Sequence, residues 1–186
     1  MTIEKEIKIL LNESEYNLVS NMFEWCSEVE QINHYYANIN NIIDDSNSTI
    51  RVREINGIFL LQIKLPLLEN GNCFLKHEFE KPIEEVPLII KREMLENLVI
   101  GKRFDDVEKI GTLTTKRKIC SNMADIQICL DYNLYLNTHD YELEIEFHEK
   151  YPYEIIKRLN YMGIYTNIKS RGKYSRFLSK FFESNK

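Results

Sequence analysis

The amino-acid sequence predicts an α+β fold of about eight strands, mostly antiparallel, with helices packed beside them. Charged and apolar residues alternate with a period of two over most of the chain, and this is the side-chain period of a strand. The links between the predicted strands are short, and short links favour antiparallel neighbours. The length of 186 residues predicts a single domain over residues 1–186.

The first elements follow from alternation and from capping chemistry. Residues 3–11 alternate and predict a strand. Asn12 and Glu15 have the spacing of a capping box, so a helix is expected from Asn12 to about Trp25. Residues 30–39 predict the second strand, and a polar loop is expected at residues 44–47.

Turn residues define the middle of the chain. Asn56-Gly57 suits a type I′ turn and joins predicted strands at residues 49–55 and 58–65, the second of which Pro66 is expected to end. Asn70-Gly71 predicts another turn. Further strands are predicted at residues 73–80, 111–119, 126–132 and 139–148, and helices at 88–98, at 152–162 and from the basic tail at Lys169 to about Phe182.

Composition excludes several classes of protein. No apolar run approaches the roughly 20 residues that span a bilayer, and the charged first residues do not resemble a signal peptide, so a cytoplasmic protein without a membrane partner is expected. The four cysteines are scattered and predict free thiols, not a zinc site. The formal net charge of −5 argues against a polyanionic ligand only if the charges are spread evenly.

The charges, however, gather on one face of the predicted strands. Residues two apart share a face, which groups Glu4, Glu6 and Lys8; Arg51 and Arg53; Gln62 and Lys64; Glu78 and Glu80; Thr115 and Arg117; Gln127 and Asp131; and Glu142, Glu144 and Glu146. A solvated sheet face can alternate in this way. Clusters of one sign favour a closed barrel with a charged lumen, in which carboxylates bind Mg²⁺ or Mn²⁺ and basic side chains bind phosphate.

The motif Glu4-Lys5-Glu6-Ile7-Lys8 at the N-terminus resembles the ExExK signature of the CYTH superfamily, the triphosphate tunnel metalloenzymes. Its companions are Arg51-Val52-Arg53, residues 61–66, Glu78-Phe79-Glu80, residues 111–117, Leu130-Asp131 and residues 141–146. The resemblance covers residues 3 to about 177. It implies an eight-stranded antiparallel closed β-barrel, with helices packed outside, whose lumen binds a triphosphate with Mg²⁺ or Mn²⁺.

The resemblance also implies roles for individual residues. The implied metal ligands are Glu4, Glu6, Glu80, Asp131, Glu142 and Glu144, with Glu78 and Glu146 as further candidates. The implied phosphate ligands are Lys8, Arg51, Arg53, Lys64, Arg117 and Lys173, with Lys169 as a competitor of Lys173 and Arg176 as a helix residue that could equally be solvated. The catalytic set is Glu4, Glu6, Lys8 and Arg53. One departure is that Ala37-Asn38 follows Tyr35-Tyr36 where many members carry an aspartate.

The leading hypothesis is therefore a metal-dependent hydrolase that acts on a small-molecule triphosphate, either inorganic tripolyphosphate or an organic triphosphate. The alternatives are an adenylate cyclase of the CYTH type and a non-catalytic module that binds polyphosphate or nucleotide. Nucleic acid is not expected as a partner because the sequence has no basic stripe with interleaved aromatic residues. The sequence leaves the oligomeric state and the identity of the triphosphate open.

Overall fold

Nine strands and four helices form the part of the chain that the structure, a computed structural model, describes: residues 2–39, 48–70, 73–123, 125–166 and 170–184. The strands are β1 Thr2–Leu11, β2 Ser27–Ala37, β3 Thr49–Ile55, β4 Ile58–Asn70, β5 Cys73–Ile83, β6 Ile89–Ile90, β7 Val107–Met123, β8 Ile126–Tyr135 and β9 Thr138–Phe147. The helices are α1 Glu13–Ser20, α2 Arg92–Leu98, α3 Tyr153–Tyr161 and α4 Lys173–Ser184.

Eight of these strands close into a barrel. Neighbouring strands pair in the order β2-β3-β4-β5-β1-β9-β8-β7, and every pair is antiparallel. A long pairing of β2 with β7, from Ser27 opposite Ile119 to Ala37 opposite Glu108, closes the circle. The short strand β6 adds to β7 as a ninth strand. The predicted eight-stranded antiparallel closed barrel is confirmed.

The apolar faces of the strands point outwards, where the helices cover them. Ile7 of β1 and Leu143 of β9 belong to one buried cluster with residues of α1 and α3. Val52 and Leu61 form a second cluster with α2. Because these apolar side chains lie between barrel and helices, the opposite faces of the same strands are left to line the lumen with polar groups. A third cluster joins β2 and β7 to α4, and it lies on the lumen side, since its Tyr35 and Leu178 also line the cavity.

Helix α1 begins as predicted but ends sooner. The capping box is present, since the Glu15 backbone N–H donates to Asn12 Oδ1 at 2.9 Å and the Asn12 N–H donates to Glu15 Oε2 at 2.8 Å. The predicted end at Trp25 is wrong, because the helix stops at Ser20. Trp25 instead donates its indole N–H to the Ser20 carbonyl at 2.8 Å, which occupies a helix-end acceptor from outside.

Several other predicted boundaries are wrong. Strand β2 begins at Ser27 and not at residue 30, and β7 extends over Val107–Met123, beyond the predicted residues 111–119 at both ends. The predicted polar loop at residues 44–47 lies outside the described residues. Strand β4 does not end at Pro66 but continues to Asn70, because a register shift between Pro66 and Leu68 accommodates the residue without an N–H. The helix predicted from Leu88 begins only at Arg92, since Ile89–Ile90 pairs with β7. Gly71 of the predicted Asn70-Gly71 turn also lies outside the described residues.

Candidate active site in the barrel lumen

The barrel encloses a cavity of about 860 Å³ whose wall receives side chains from all eight barrel strands and from α4. The predicted site residues that line it are Glu6, Lys8, Arg51, Arg53, Lys64, Glu80, Arg117, Glu144 and Lys173. Asp131 and Glu142 lie fully buried behind this lining. The side chain of Glu4 lies outside what the structure describes, although its backbone pairs with Lys76 of β5. The alternation of residues thus predicted correctly that one charged face of the strands lines the cavity.

Three of the predicted metal ligands come together as a carboxylate triad. Asp131 of β8 and Glu142 and Glu144 of β9 are buried, and each offers one oxygen within 4.8 Å of the others. The register explains this meeting, because Asp131 lies directly opposite Glu142 across the two strands. Buried carboxylate oxygens are the donors that Mg²⁺ and Mn²⁺ prefer, so the triad has the chemistry to hold a divalent cation.

The ammonium group of Lys173 lies inside this triad. Its Nζ is 2.8 Å from Asp131 Oδ2, 2.5 Å from Glu142 Oε2 and 2.7 Å from Glu144 Oε1. Burial would lower the pKa of Lys173, but the three carboxylates outweigh it and raise that pKa above its usual range. The sequence-based expectation was that Lys173 faces phosphate; in this structure its partners are acids.

The triad is part of a larger ion-pair network that joins β1, β5, β7, β8, β9 and α4. Its acids are Glu6, Asp131, Asp140, Glu142 and Glu144, and its cations are Lys8, Lys76, Arg117, Lys173 and Arg176. Ion pairs no longer than 3.2 Å connect all ten residues, so their formal charges cancel. Although burial opposes ionisation of Glu6, Lys8 and Lys76 lower its pKa to about 2.

The wall formed by β3 and β4 is paired far less completely. Arg51 donates its Nε–H to Gln62 Oε1 at 2.9 Å, but its buried Nη2 has no hydrogen-bond acceptor among the described residues, and Glu78 Oε1 is 3.9 Å away. Arg53 donates its Nε–H to Asn33 Oδ1 at 3.1 Å. Burial, together with repulsion from Arg51 and Arg117, lowers the pKa of Arg53 to about 9. This guanidinium pair, Arg51 and Arg53, therefore presents N–H donors to the lumen that suit an anion.

Lys76 and Asp140 of the ion-pair network were not predicted from the sequence, and the sequence left the role of Arg176 open. Lys76 binds Glu6 at 3.1 Å, and its alternation with Glu78 and Glu80 was a signal that could have identified it. Arg176 is not a solvated helix residue: its Nε donates to Asp140 Oδ2 at 2.7 Å, and its Nη2 lies 3.2 Å from Glu142 Oε2. Its spacing of three from Lys173 places both on one side of α4. Lys169, the competitor of Lys173, lies outside the described residues.

The fold and the lumen together define a class: a closed antiparallel barrel that carries its charged residues inside, with helices around it. The CYTH domain matches residues 2–158, and the chain belongs to this family. None of the described helices combines the length and the apolar composition that crossing a membrane requires.

Individual proteins agree with this assignment. YjbK of Bacillus subtilis strain 168, provisionally named a triphosphatase, is 28% identical over 150 residues, which are 77% of each chain. A Bacillus halodurans protein provisionally named an adenylate cyclase is 24% identical, with a TM-score of 0.69 over 95% of this chain and 99% of that one. HpAC1 of Hippeastrum is 20% identical, with a TM-score of 0.72 over 95% of both chains, and is described as a provisional adenylyl cyclase with a dominant triphosphatase activity. These structural likenesses show the fold.

Proposed function

We propose that this protein is a metal-dependent triphosphatase that hydrolyses inorganic tripolyphosphate or an organic triphosphate in the barrel lumen, and that residues 1–186 form one CYTH domain. The observation that carries the proposal is the guanidinium pair on β3, whose incompletely paired N–H groups face a cavity large enough for such a substrate. The similarity to YjbK, a relative provisionally named a triphosphatase, supports it.

The β3–β4 wall would bind the substrate. Arg51 and Arg53 can each offer two parallel N–H donors to phosphate oxygens, and Lys64 adds a point charge from β4. An anion between them would relieve the repulsion that lowers the pKa of Arg53. Lys8 of β1 and Arg117 of β7 project into the same cavity. We propose that they stabilise negative charge that develops as the phosphoanhydride bond breaks.

Hydrolysis of the terminal phosphoanhydride forms one bond and breaks one. The oxygen of a water attacks the terminal phosphorus and the water gives a proton to a lumen carboxylate, while the bridging P–O bond breaks and the bridging oxygen leaves with the electron pair, as part of pyrophosphate from tripolyphosphate or of the organic diphosphate from an organic triphosphate. Arg53 of β3 and Lys8 of β1, which both line the lumen, can hold the charged groups in line for this displacement. Carboxylates of the lumen, with Glu4 and Glu6 as the proposed catalytic pair, would orient the water.

The donor set fits a hard divalent cation. We propose Glu4, Glu6, Glu80, Asp131, Glu142 and Glu144 as the residues that hold Mg²⁺ or Mn²⁺. When bound, such an ion would neutralise negative charge on the phosphates and lower the pKa of a water bound to it.

A second candidate is a module that binds a triphosphate without turnover. The observation that favours it is that Lys173 fills the carboxylate triad, which leaves no room there for a divalent ion while the lysine stays. Such a module would retain the guanidinium pair and would bind polyphosphate with the same residues.

One assay separates these functions. Purified protein is incubated with tripolyphosphate, ATP or thiamine triphosphate, each with Mg²⁺, with Mn²⁺ or with EDTA, and phosphate, pyrophosphate and cyclic AMP are quantified. Metal-dependent release of phosphate supports the triphosphatase. Cyclic AMP with pyrophosphate from ATP would instead identify a cyclase, and binding without products would identify the module. Arg53→Met should lose the activity, whereas Arg92→Met, on the exposed start of α2, serves as the matched control.

A further inference from the structure

We propose that Lys173 is the resident cation of the carboxylate triad and competes with the divalent metal for it, so that metal enters only as the lysine leaves. This inference deepens the proposed function, because it concerns how the same site admits its metal. It differs from the expectation that Lys173 serves the phosphate alone.

The first support is geometric. One ammonium nitrogen lies within 2.8 Å of an oxygen from each of the three carboxylates, so it occupies the point on which their oxygens converge. Mg²⁺ binds carboxylate oxygens at about 2.1 Å and tolerates little distortion. An ion bound by the same three oxygens would therefore overlap the ammonium group. The two cations are alternative occupants of one position.

The second support is the local charge balance. The ten residues of the ion-pair network cancel in formal charge while Lys173 is in place. Glu146, 3.8 Å from Arg117, would offset one charge of a divalent ion added to this network, and the second would remain uncompensated, which a low-dielectric surrounding penalises. An ion that replaces the ammonium group changes the charge by only one. Exchange is therefore favoured over simple addition.

The third support is that Lys173 can move without the whole of α4. The helix is also anchored by Arg176, which binds Asp140 and Glu142, and by Phe177, whose ring contacts Gly111 of β7. Lys173 is the first residue of α4, and residues 170–172 before it line the cavity. Its four-carbon side chain is flexible, so the ammonium group can swing from the triad into the lumen. There it would meet the phosphate of a bound substrate.

Manganese binding without any triphosphate tests this competition. Mn²⁺ is titrated by calorimetry into the wild-type chain, Lys173→Met and Lys180→Met, the last an exposed lysine of the same helix that pairs with Glu183. We expect Lys173→Met to bind Mn²⁺ at least about tenfold more tightly than the wild type, and Lys180→Met to match the wild type. The gain should vanish in Lys173→Met/Asp131→Asn. Equal affinity of wild type and Lys173→Met, or a gain that survives loss of Asp131, would overturn the proposal.

A measurement on the wild-type chain keeps the proposal testable if Lys173→Met does not fold. Lysine side chains are reductively dimethylated for a short time with and without Mn²⁺, and each site is quantified by mass spectrometry. Mn²⁺ should increase labelling of Lys173 several-fold and leave Lys180 unchanged. Unchanged Lys173 labelling in protein saturated with Mn²⁺ would show that the metal binds without displacing the lysine.

Neither measurement uses turnover or substrate. A chain without triphosphatase activity that still gains Mn²⁺ affinity in Lys173→Met would overturn the proposed function and leave the competition standing. An active triphosphatase whose Mn²⁺ affinity is the same in both chains would overturn the competition alone.

Discussion

At the scale of single residues, Arg53 shows a conflict between stability and binding. Its half-buried guanidinium is partly desolvated and lies near Arg51 and Arg117, which lowers its pKa to about 9 because the protonated form is disfavoured. We predict that Arg53→Met leaves the free energy of unfolding unchanged or raises it by about 1 kcal/mol, since an apolar side chain removes an incompletely paired and partly desolvated charge. Tripolyphosphate affinity should fall about ten- to hundredfold, the loss expected for hydrogen bonds to a charged group.

Urea unfolding and calorimetric titration of tripolyphosphate measure the two effects. Arg92→Met controls for the loss of one positive charge at an exposed position. A variant that binds as tightly as the wild type would remove Arg53 from the proposed site, and a loss of several kcal/mol in stability would show that its pairing is stronger than its surroundings indicate.

Glu6 should make the free energy of unfolding depend on pH in the acidic range. Its folded pKa of about 2 lies below the ordinary value of 4.5, because Lys8 and Lys76 overcome the effect of burial. The unfolded chain therefore binds more protons between these two values, so the stability that Glu6 contributes is complete above pH 4.5 and is lost as the pH falls through 2. At pH 7, Glu6→Gln should be less stable by about 3 kcal/mol, since two buried cations lose a partner.

The measurement is urea unfolding with EDTA at pH 7 and at pH 3. We expect the difference between wild type and Glu6→Gln to shrink at pH 3 by about 2 kcal/mol, because most of the linkage between the pKa of 4.5 in the unfolded chain and the pKa of about 2 in the folded chain is lost by that pH. Asp131, Asp140 and Glu144, whose pKa values are also lowered, are present in both chains. A constant difference across this range would mean that Glu6 is not ionised by its two lysines as described.

At the scale of elements, α4 is held to the barrel through a glycine. A Cβ on Gly111 would lie 2.7 Å from Phe177 Cζ, closer than real Cβ contacts allow, so only glycine lets the ring approach the β7 backbone. We predict that Gly111→Ala costs about 1–3 kcal/mol, the range for an overpacked contact. Phe177→Leu removes the outer ring carbons, and the double variant should lose less stability than the sum of the two single variants.

A double-mutant cycle in urea measures this coupling. Limited proteolysis within α4 adds a local readout, because a displaced helix exposes its backbone. Additive effects of the two substitutions would show that the glycine is needed for β7 itself and not for the helix.

The elements also show what sequence can and cannot predict. The capping box of α1 and the Asn56-Gly57 hairpin depend on residues within a few positions of each other, and both were predicted. The end of α1 depends on Trp25 folding back to Ser20, a contact that the local pattern does not encode. In the same way, alternation on β1 and β3 placed Glu6 and Arg53 in the lumen, but nothing in the tail shows that Lys173 reaches acids on β8 and β9.

At the scale of the whole molecule, the net charge of −5 is a poor guide to the ligand. The sum includes the acids of the ion-pair network, whose charges are cancelled locally by Lys8, Lys76, Arg117, Lys173 and Arg176. What the lumen then presents to an anion is the guanidinium pair on the other wall. Barrel closure makes this separation possible, because it puts the β3–β4 wall and the acidic strands around one cavity.

This arrangement predicts that a triphosphate stabilises the entire barrel. A ligand that binds the closed barrel and not the unfolded chain adds RT ln(1 + [L]/Kd), about 2.7 kcal/mol at a hundredfold excess over Kd. Tripolyphosphate with Mg²⁺ should therefore raise the melting temperature of the wild-type chain in a concentration-dependent way, measured by differential scanning calorimetry. If the charged faces of these strands were exposed to solvent, tripolyphosphate would change the melting temperature only by screening surface charges.

Two controls make the result specific to the lumen. Sulfate at equal ionic strength reproduces the screening of surface charges but cannot bridge the guanidinium pair and the opposite wall as a chain of three phosphates can. Arg51→Met/Arg53→Met removes the pair while keeping the ion-pair network, so its melting temperature should not respond to tripolyphosphate. An equal rise with sulfate, or an undiminished rise in the double variant, would mean that the guanidinium pair does not hold the anion, since a ligand bound by these two arginines could not stabilise a chain that lacks both of them.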